Sequence, residues 1–290
     1  MAKSKIEIYR ASRGKEVSAA PAPAGVAAAA VTPFTIEVRF LGGLTPTQKK
    51  AFKLAADRWS RVIVGDLPAV LVDGEVVDDV VILANGAPID GTGMILGQAG
   101  PTRLRPSTAG AAAFLPAKGE MTFDTADLAA MQARGTLNDV ICHEMGHVLG
   151  IGTIWARKGL LNISTPNNPT FEGTKAKKEF GKLAGSGPKP VPVENTGGPG
   201  TRNSHWRETV FRNELMTGFV GTANNPMSAM TVASLADLGY TVDLTKAEPY
   251  AMPNLFGLAV EGVLAAPAAT GGIILPSVPI ELPDNSLKVK

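Results

Sequence analysis

Two imidazoles four residues apart, with a carboxylate directly after the first, mark the stretch Thr136 to Gly152 (TLNDVICHEMGHVLGIG) as the part of this chain equipped for chemistry. His143, Glu144 and His147 form an H-E-x-x-H arrangement. On an α-helix, positions four apart lie about 40° apart on one face, so both rings can reach a single metal ion. Glu144 falls close to that ion yet stays free to act on a bound water, which is the zinc-hydrolase reading of the motif. The competing reading is a core helix whose polar residues match a short pattern by chance. The chain has three histidines, and two of them are here.

The element that must carry them is well specified. Thr136 is placed to cap a helix, with Asp139 as its capping-box partner. Leu137, Val140, Ile141, Met145, Val148 and Leu149 give it a buried face. Gly150 and Gly152 end it. A catalytic zinc site uses three protein ligands and keeps one position open. The third ligand must therefore come from elsewhere, and His205 is the one imidazole left. Glu194, Glu208 and Glu214 are the carboxylates that could serve instead. Cys142 reads as a small buried apolar group rather than a redox switch.

The rest of the chain supplies a scaffold. Thr35 to Phe40 alternates as a strand. Thr45-Pro46 opens a helix whose inner stripe is Phe52, Ala55, Ala56, Trp59, Val62 and Ile63, with Gln48 completing a capping box at Thr45. Val76 to Leu83, Met94 to Gln98, Ala112 to Leu115 and Glu120 to Phe123 read as strands, with Asn85-Gly86 as a turn. Asp124 to Ala133 reads as a short helix or turn. The stretch from Ile151 to Ser204 is irregular, with one short helix at Thr174 to Leu183 whose lysines form a solvated face. A loop of this length suits a functional role, here the return to the metal. Ser228 caps a helix from Ala229 to Leu238, stopped by Gly239. Ile273 to Leu275 and Val278 to Leu282 are candidate edge strands, without evident chemistry. The pattern is α+β, divided as a flexible tail (1–32), an upper part ending with the metal helix (33–152), an insertion and lower part (153–240) and a Pro/Ala/Gly-rich extension (241–290).

Composition narrows the function. Hydrophobic residues make up 44% of the chain and the net charge is +2, which argues against nucleic acid as a partner. No apolar run reaches the roughly 20 residues of a membrane span. The single cysteine excludes a disulfide framework and a four-cysteine zinc site.

The segment His143 to Gly150 resembles the start of the metzincin signature, H-E-x-x-H-x-x-G. The usual third histidine position is Thr153 here. The leishmanolysin-like branch (peptidase family M8) instead has a long insertion before that histidine, and then a Glu-Leu-Met segment. This chain has His205-Trp206 and, eleven residues after His205, Met216 within Glu214-Leu215-Met216-Thr217-Gly218. The resemblance covers about residues 35–240. It implies a metzincin-like fold, with a twisted mixed sheet and two main helices above the cleft and a smaller, mostly irregular and helical lower subdomain. It also implies His143, His147 and His205 as ligands of one Zn2+, Glu144 as general base, and Met216 in the turn beneath the metal. The function it implies is that of a zinc-dependent metalloendopeptidase acting on protein or peptide substrates. In that reaction Glu144 takes a proton from a zinc-activated water and passes it to the leaving amine. Tyr240 or a main-chain N–H is a candidate to assist the oxyanion. The family also implies an extracellular or cell-surface setting, although no signal peptide or membrane anchor is read here. The alternatives are a non-catalytic, zinc-stabilised binding or adhesion protein, and a hydrolase of a non-peptide amide.

Overall fold

The computed structural model describes residues 6–12, 33–93, 95–198, 200–218, 223–254, 272–274 and 278–288. Its upper part is a twisted mixed sheet. β1 (Glu7–Ser12) pairs antiparallel with β2 (Thr35–Gly42). α1 (Pro46–Val62) follows, and then a hairpin of β3 (Val70–Val72) and β4 (Glu75–Val77). β5 (Val80–Ala87) lies parallel between β2 and β7 (Pro116–Asp124). β6 (Ile95–Leu104) runs antiparallel to β7, so the order is β1-β2-β5-β7-β6.

Two helices lie side by side under this sheet. α1 packs beneath β1 and β2, and α3 (Leu137–Val148) beneath β6 and β7. α1 has the expected capping box: Gln48 N–H donates to Thr45 Oγ1 at 3.3 Å, and Thr45 N–H to Gln48 Oε1 at 2.8 Å. Its stripe of Phe52, Ala55, Ala56, Trp59, Val62 and Ile63 is fully buried. Each large apolar side chain so buried contributes about 1.5–3 kcal/mol. Trp59 also donates its indole N–H to the Cys142 carbonyl, 2.8 Å away, which locks α1 to α3. Between β7 and α3 stands α2 (Thr125–Arg134), capped by Asp124.

The lower part has three two-residue strands, β8 (Leu161–Asn162), β9 (Thr170–Phe171) and β10 (Val191–Pro192), which form a small sheet. α4 (Thr174–Leu183) lies between β9 and β10 in the chain, followed by the short α5 (Glu208–Phe211) and by α6 (Ala229–Leu238). α6 has the expected ends: Ser228 Oγ accepts from Thr231 N–H at 3.2 Å, and Gly239 is left-handed at φ 119°. No described helix is long and apolar enough to cross a membrane.

The structure corrects several local expectations. Within the segment 1–32 read as a tail, Glu7–Ser12 form β1; residues 1–5 and 13–32 lie outside the described residues. Val76 to Leu83 is not one strand. It breaks at Asp78-Asp79, because Arg105 donates to both carbonyls (2.9 and 2.7 Å) while the Asp79 carboxylate accepts from Thr35 and Leu67 N–H. Asn85-Gly86 is not a turn but the end of β5. Gly86 is needed there because a Cβ would sit 2.4 Å from the Gly43 carbonyl oxygen. Ala112 to Leu115 is a tight turn rather than a strand: Leu115 N–H bonds back to Ala112 O, and Phe114 holds φ 64°. Met94 lies outside the described residues.

The segment 241–290, read as an extension, is tied to the upper sheet. Val242 bridges Ile63 and Leu287 bridges Val70. β11 (Gly272–Ile274) and β12 (Ile280–Glu281) both pair parallel with β6. They match the two candidate edge strands, except that Leu275 lies outside the described residues.

Candidate metal centre

α3 starts differently from its expected capping box. Thr136 is the N-cap residue, but its φ/ψ of −93°/−8° is helical, and its side chain makes no cap hydrogen bond. A capping side chain needs an extended backbone to reach forward. Thr136 is held back because its N–H still bonds the Met131 carbonyl of α2, across the left-handed Gly135. Asp139 is used elsewhere. One carboxylate oxygen meets Arg58 Nη1 at 3.4 Å, and the other accepts from Asn224 N–H at 2.6 Å. Arg58 also reaches Glu248 and the Asn225 carbonyl, so it joins α1 to α3 and to the segments around α6.

The C-terminal end of α3 shapes the site. Gly150 (φ 109°) and Gly152 (φ 75°) turn the chain sharply. This brings the Ile151 carbonyl to 2.8 Å from His147 Nδ1. At Gly152 the returning chain touches the turn, since a Cβ there would lie 1.9 Å from the Ser204 carbonyl oxygen. His205 is the next residue. Its main chain is fixed by Glu194, whose N–H donates to the His205 carbonyl at 2.8 Å.

Three imidazoles converge as a result. His143 Nδ1 lies 2.6 Å from the Leu215 carbonyl, His147 Nδ1 2.8 Å from Ile151 O, and His205 Nδ1 2.9 Å from Thr201 O. A carbonyl only accepts, so each Nδ1 carries the proton and each Nε2 keeps a bare lone pair. The three Nε2 atoms lie 2.9–3.0 Å apart. Three bare lone pairs at that distance repel, and a cation between them removes the repulsion. Zinc–nitrogen bonds of about 2.0–2.1 Å at tetrahedral angles bring ligand nitrogens to about 3.3 Å, close to this spacing. The group can thus hold a metal ion. Burial holds the histidines neutral, pushing His143 down to about 3, His147 to about 4 and His205 well below its usual value.

Glu144 completes the set. Its Oε1 is 3.9 Å from His143 Nε2, and its buried Oε2 has no hydrogen-bond partner among the described residues. Burial alone raises its carboxyl to about 8. A divalent cation among the histidines would pull it back down. Met216 lies beneath the helix: a Cβ on Gly146 would meet its Sδ at 2.8 Å and Trp59 Cζ2 at 2.9 Å.

The carboxylates that competed with His205 have other work. Glu194 accepts from Asn195, Thr196 and Glu208 main-chain N–H and from the Thr196 hydroxyl, so it builds the loop. Glu214 accepts from Met216 N–H, Ser228 N–H and the hydroxyls of Ser228 and Thr231. The main-chain N–H of Glu208 donates to the Glu194 carboxylate, and its side chain is not part of the metal-ligating group. The Tyr240 expectation fails. Its hydroxyl donates to the Leu149 carbonyl at 3.0 Å and its ring packs on Phe34, so it is not available to an oxyanion. Cys142 is buried, its thiol pushed up to about 12 by that burial. Sequence reasoning missed Arg58, and it missed what Gly152 approaches and what Glu194 binds, since these roles arise from contacts between distant segments. A second group of ligand-type atoms, Asp66, Asp78 and Asp79, lies beside Arg105, whose buried guanidinium supplies counter-charge.

A family model described as leishmanolysin, Peptidase_M8, matches residues 66–259, a span that takes in the three histidines, Glu144 and Met216. No curated protein matches the chain.

Proposed function

The chain belongs to the leishmanolysin (M8) family of peptidases, and from that membership we propose that it is a zinc-dependent metalloendopeptidase. The observation that carries the proposal is the convergence of three Nε2 lone pairs, each fixed by an Nδ1–H bond to a main-chain carbonyl, beside Glu144 Oε2, which has no hydrogen-bond partner among the described residues. His143, His147 and His205 are the residues that would hold the ion. Once bound, zinc supplies a Lewis acid for the scissile carbonyl and lowers the pKa of water toward about 7.

The chain's own residues do the rest. Glu144 is the base that takes the proton of the attacking water and returns it to the leaving nitrogen. Its buried position keeps its carboxylate from being solvated, which strengthens it as a proton acceptor. The carbonyls of Leu215, Ile151 and Thr201 hold the rings in the one tautomer that can ligate. Met216, in the turn that also provides the Leu215 carbonyl, supports the helix from below. A structural zinc site closes with four protein ligands. Among the described residues the group has three, which supports a catalytic rather than a strut-like role.

Zinc content and casein cleavage, measured on the wild type and on Glu144→Ala, test this reading. One zinc is expected in each. Cleavage is expected in the wild type alone, with a loss of roughly 10²–10⁴-fold in the variant, the usual size of a general-base contribution. A chelator should abolish cleavage. Parental activity in Glu144→Ala would remove Glu144 from the mechanism, and absence of zinc from both proteins would remove the metal.

A further inference from the structure

The two flanks of α3 differ. Asp139, Cys142 and Gly146 contact Arg58 and Trp59, so they mark the flank that faces α1. Glu144 lies about 160° round the helix from Cys142, on the flank away from α1. Val148 points up into the sheet, where its Cγ1 lies 2.4 Å from where a Cβ on Gly119 would stand. Since α1 lies under β1 and β2, and α3 under β6 and β7, the Glu144 flank looks toward the side where β6 borders the sheet. An extended peptide presented to Glu144 would find the outer edge of β6 as its nearest row of main-chain donors and acceptors.

That edge is already in use. β11 pairs with Ile95, Gly97 and Gln98, and β12 with Arg103 and Leu104. Leu282 N–H donates to the Leu104 carbonyl at 2.9 Å. Glu281 accepts from Ser107 N–H at 2.9 Å and meets Arg157 at 3.3 Å, while Asp284 accepts from the Thr108 hydroxyl at 2.8 Å. Among the described side chains of this segment, Leu282 and Leu287 reach an apolar cluster, while Val278 and Ile280 are 83% and 59% exposed. From 278 to 288 the chain is thus held mainly as a peptide would be held, through its backbone and a few polar contacts, and β11 adds its own main-chain pairing. β11 and β12 are three and two residues long, against ten for β6, the strand they border, so little main-chain pairing has to be given up to free that edge.

We propose that the segment carrying β11 and β12 is an inhibitory strand, which occupies the β6 edge that an extended peptide substrate must pair with and must leave before such a peptide binds. The inference rests on the peptidase reading of the site.

The test uses the full-length, zinc-loaded chain carrying Glu144→Ala, so that bound peptide survives. The probe is a fluorescein-labelled unstructured fragment of casein, followed by anisotropy. Adding Glu281→Ala and Leu282→Pro removes the Ser107 and Arg157 contacts and the N–H to Leu104. At least ten-fold tighter binding of the fragment is expected. In the parent without tail substitutions, saturating fragment should speed amide exchange at Ile280 to Leu282, and this arm decides the matter if the doubly substituted tail impairs folding. Equal affinity with and without the tail contacts, or undiminished protection of those amides while the fragment is bound, overturns the proposal. Casein cleavage is measured separately on chains retaining Glu144. Tighter binding without cleavage would sink the peptidase reading and keep the inhibitory strand. Cleavage without any gain in binding would do the reverse.

Discussion

Each imidazole of the centre is aimed by a main-chain carbonyl, and two of those carbonyls stand on turns that depend on single residues. Gly152 shows how narrow the tolerance is. Its φ of 75° is left-handed, and a Cβ would lie 1.9 Å from the Ser204 carbonyl oxygen, a backbone atom that cannot swing aside. Gly152→Ala should therefore displace Ser204 and, with it, His205. A ten-fold or larger loss of zinc affinity is expected, read by competition with a chromogenic chelator. Gly159→Ala is the control. Its φ is 66°, but nothing lies within 4 Å of the added atom, so it carries the left-handed penalty of roughly 1–2 kcal/mol without the collision. Equal loss of zinc in both variants would assign the effect to backbone strain rather than to the approach of Ser204. The four-residue spacing of His143 and His147 was legible in the sequence because a helix converts spacing into direction. The role of Gly152 was legible only as a helix end, since what it approaches is 52 positions further on.

At the level of elements, the turn holding Leu215 and Met216 is fastened to the start of α6 by one carboxylate. Glu214 is fully buried and serves four donors, from Met216, Ser228 (twice) and Thr231. Thr231 in turn accepts from the Trp206 indole at 2.8 Å, beside His205. Glu214→Ala would leave these donors buried without an acceptor. Each costs about 1–3 kcal/mol when unmet, so a destabilisation of at least about 3 kcal/mol is expected from urea unfolding, with the zinc stoichiometry as a second readout. A loss under 1 kcal/mol would show that water enters and replaces the carboxylate. Helix boundaries in this region were readable: Ser228 and Gly239 bound α6 as their chemistry requires. The use of Glu214 was not, because a carboxylate near a presumed metal looks the same in sequence whether it ligates the ion or gathers main-chain donors. Only the hydrogen-bond geometry separates the two.

At the scale of the whole molecule, the alternation of strands with two long helices announced an α+β layer, and the sheet obeys it. The sheet's two borders differ in legibility. β11 and β12 fall on the two candidate edge strands, whereas β1 sits in a basic stretch with little hydrophobic contrast; its place is set by pairing with β2 rather than by local propensity. The joint between sheet and helices also sets how stability depends on pH. Asp124 ends β7 and caps α2. Its Oδ2 accepts from Ile89, Asp90 and Gly91 N–H, and its Oδ1 from Ala126 and Asp127 N–H. These donors, the Ile89 N–H foremost, hold the carboxyl down at about 2. A folded value below the unfolded one, about 3.9, contributes stability that is present above pH 4 and lost as pH falls toward 2. Asp124→Asn can still cap α2 through its remaining oxygen, but its amide would face the three loop N–H groups. Urea midpoints measured on the metal-free proteins, with chelator present throughout, should show the variant less stable by a constant margin from pH 7 to about 4. That margin should close between pH 4 and 2, where the wild-type carboxylate is neutralised. A margin that stays constant down to pH 2 would mean that the five N–H contacts do not favour the ionised form, and the acid sensitivity of the fold would have to arise at another carboxylate.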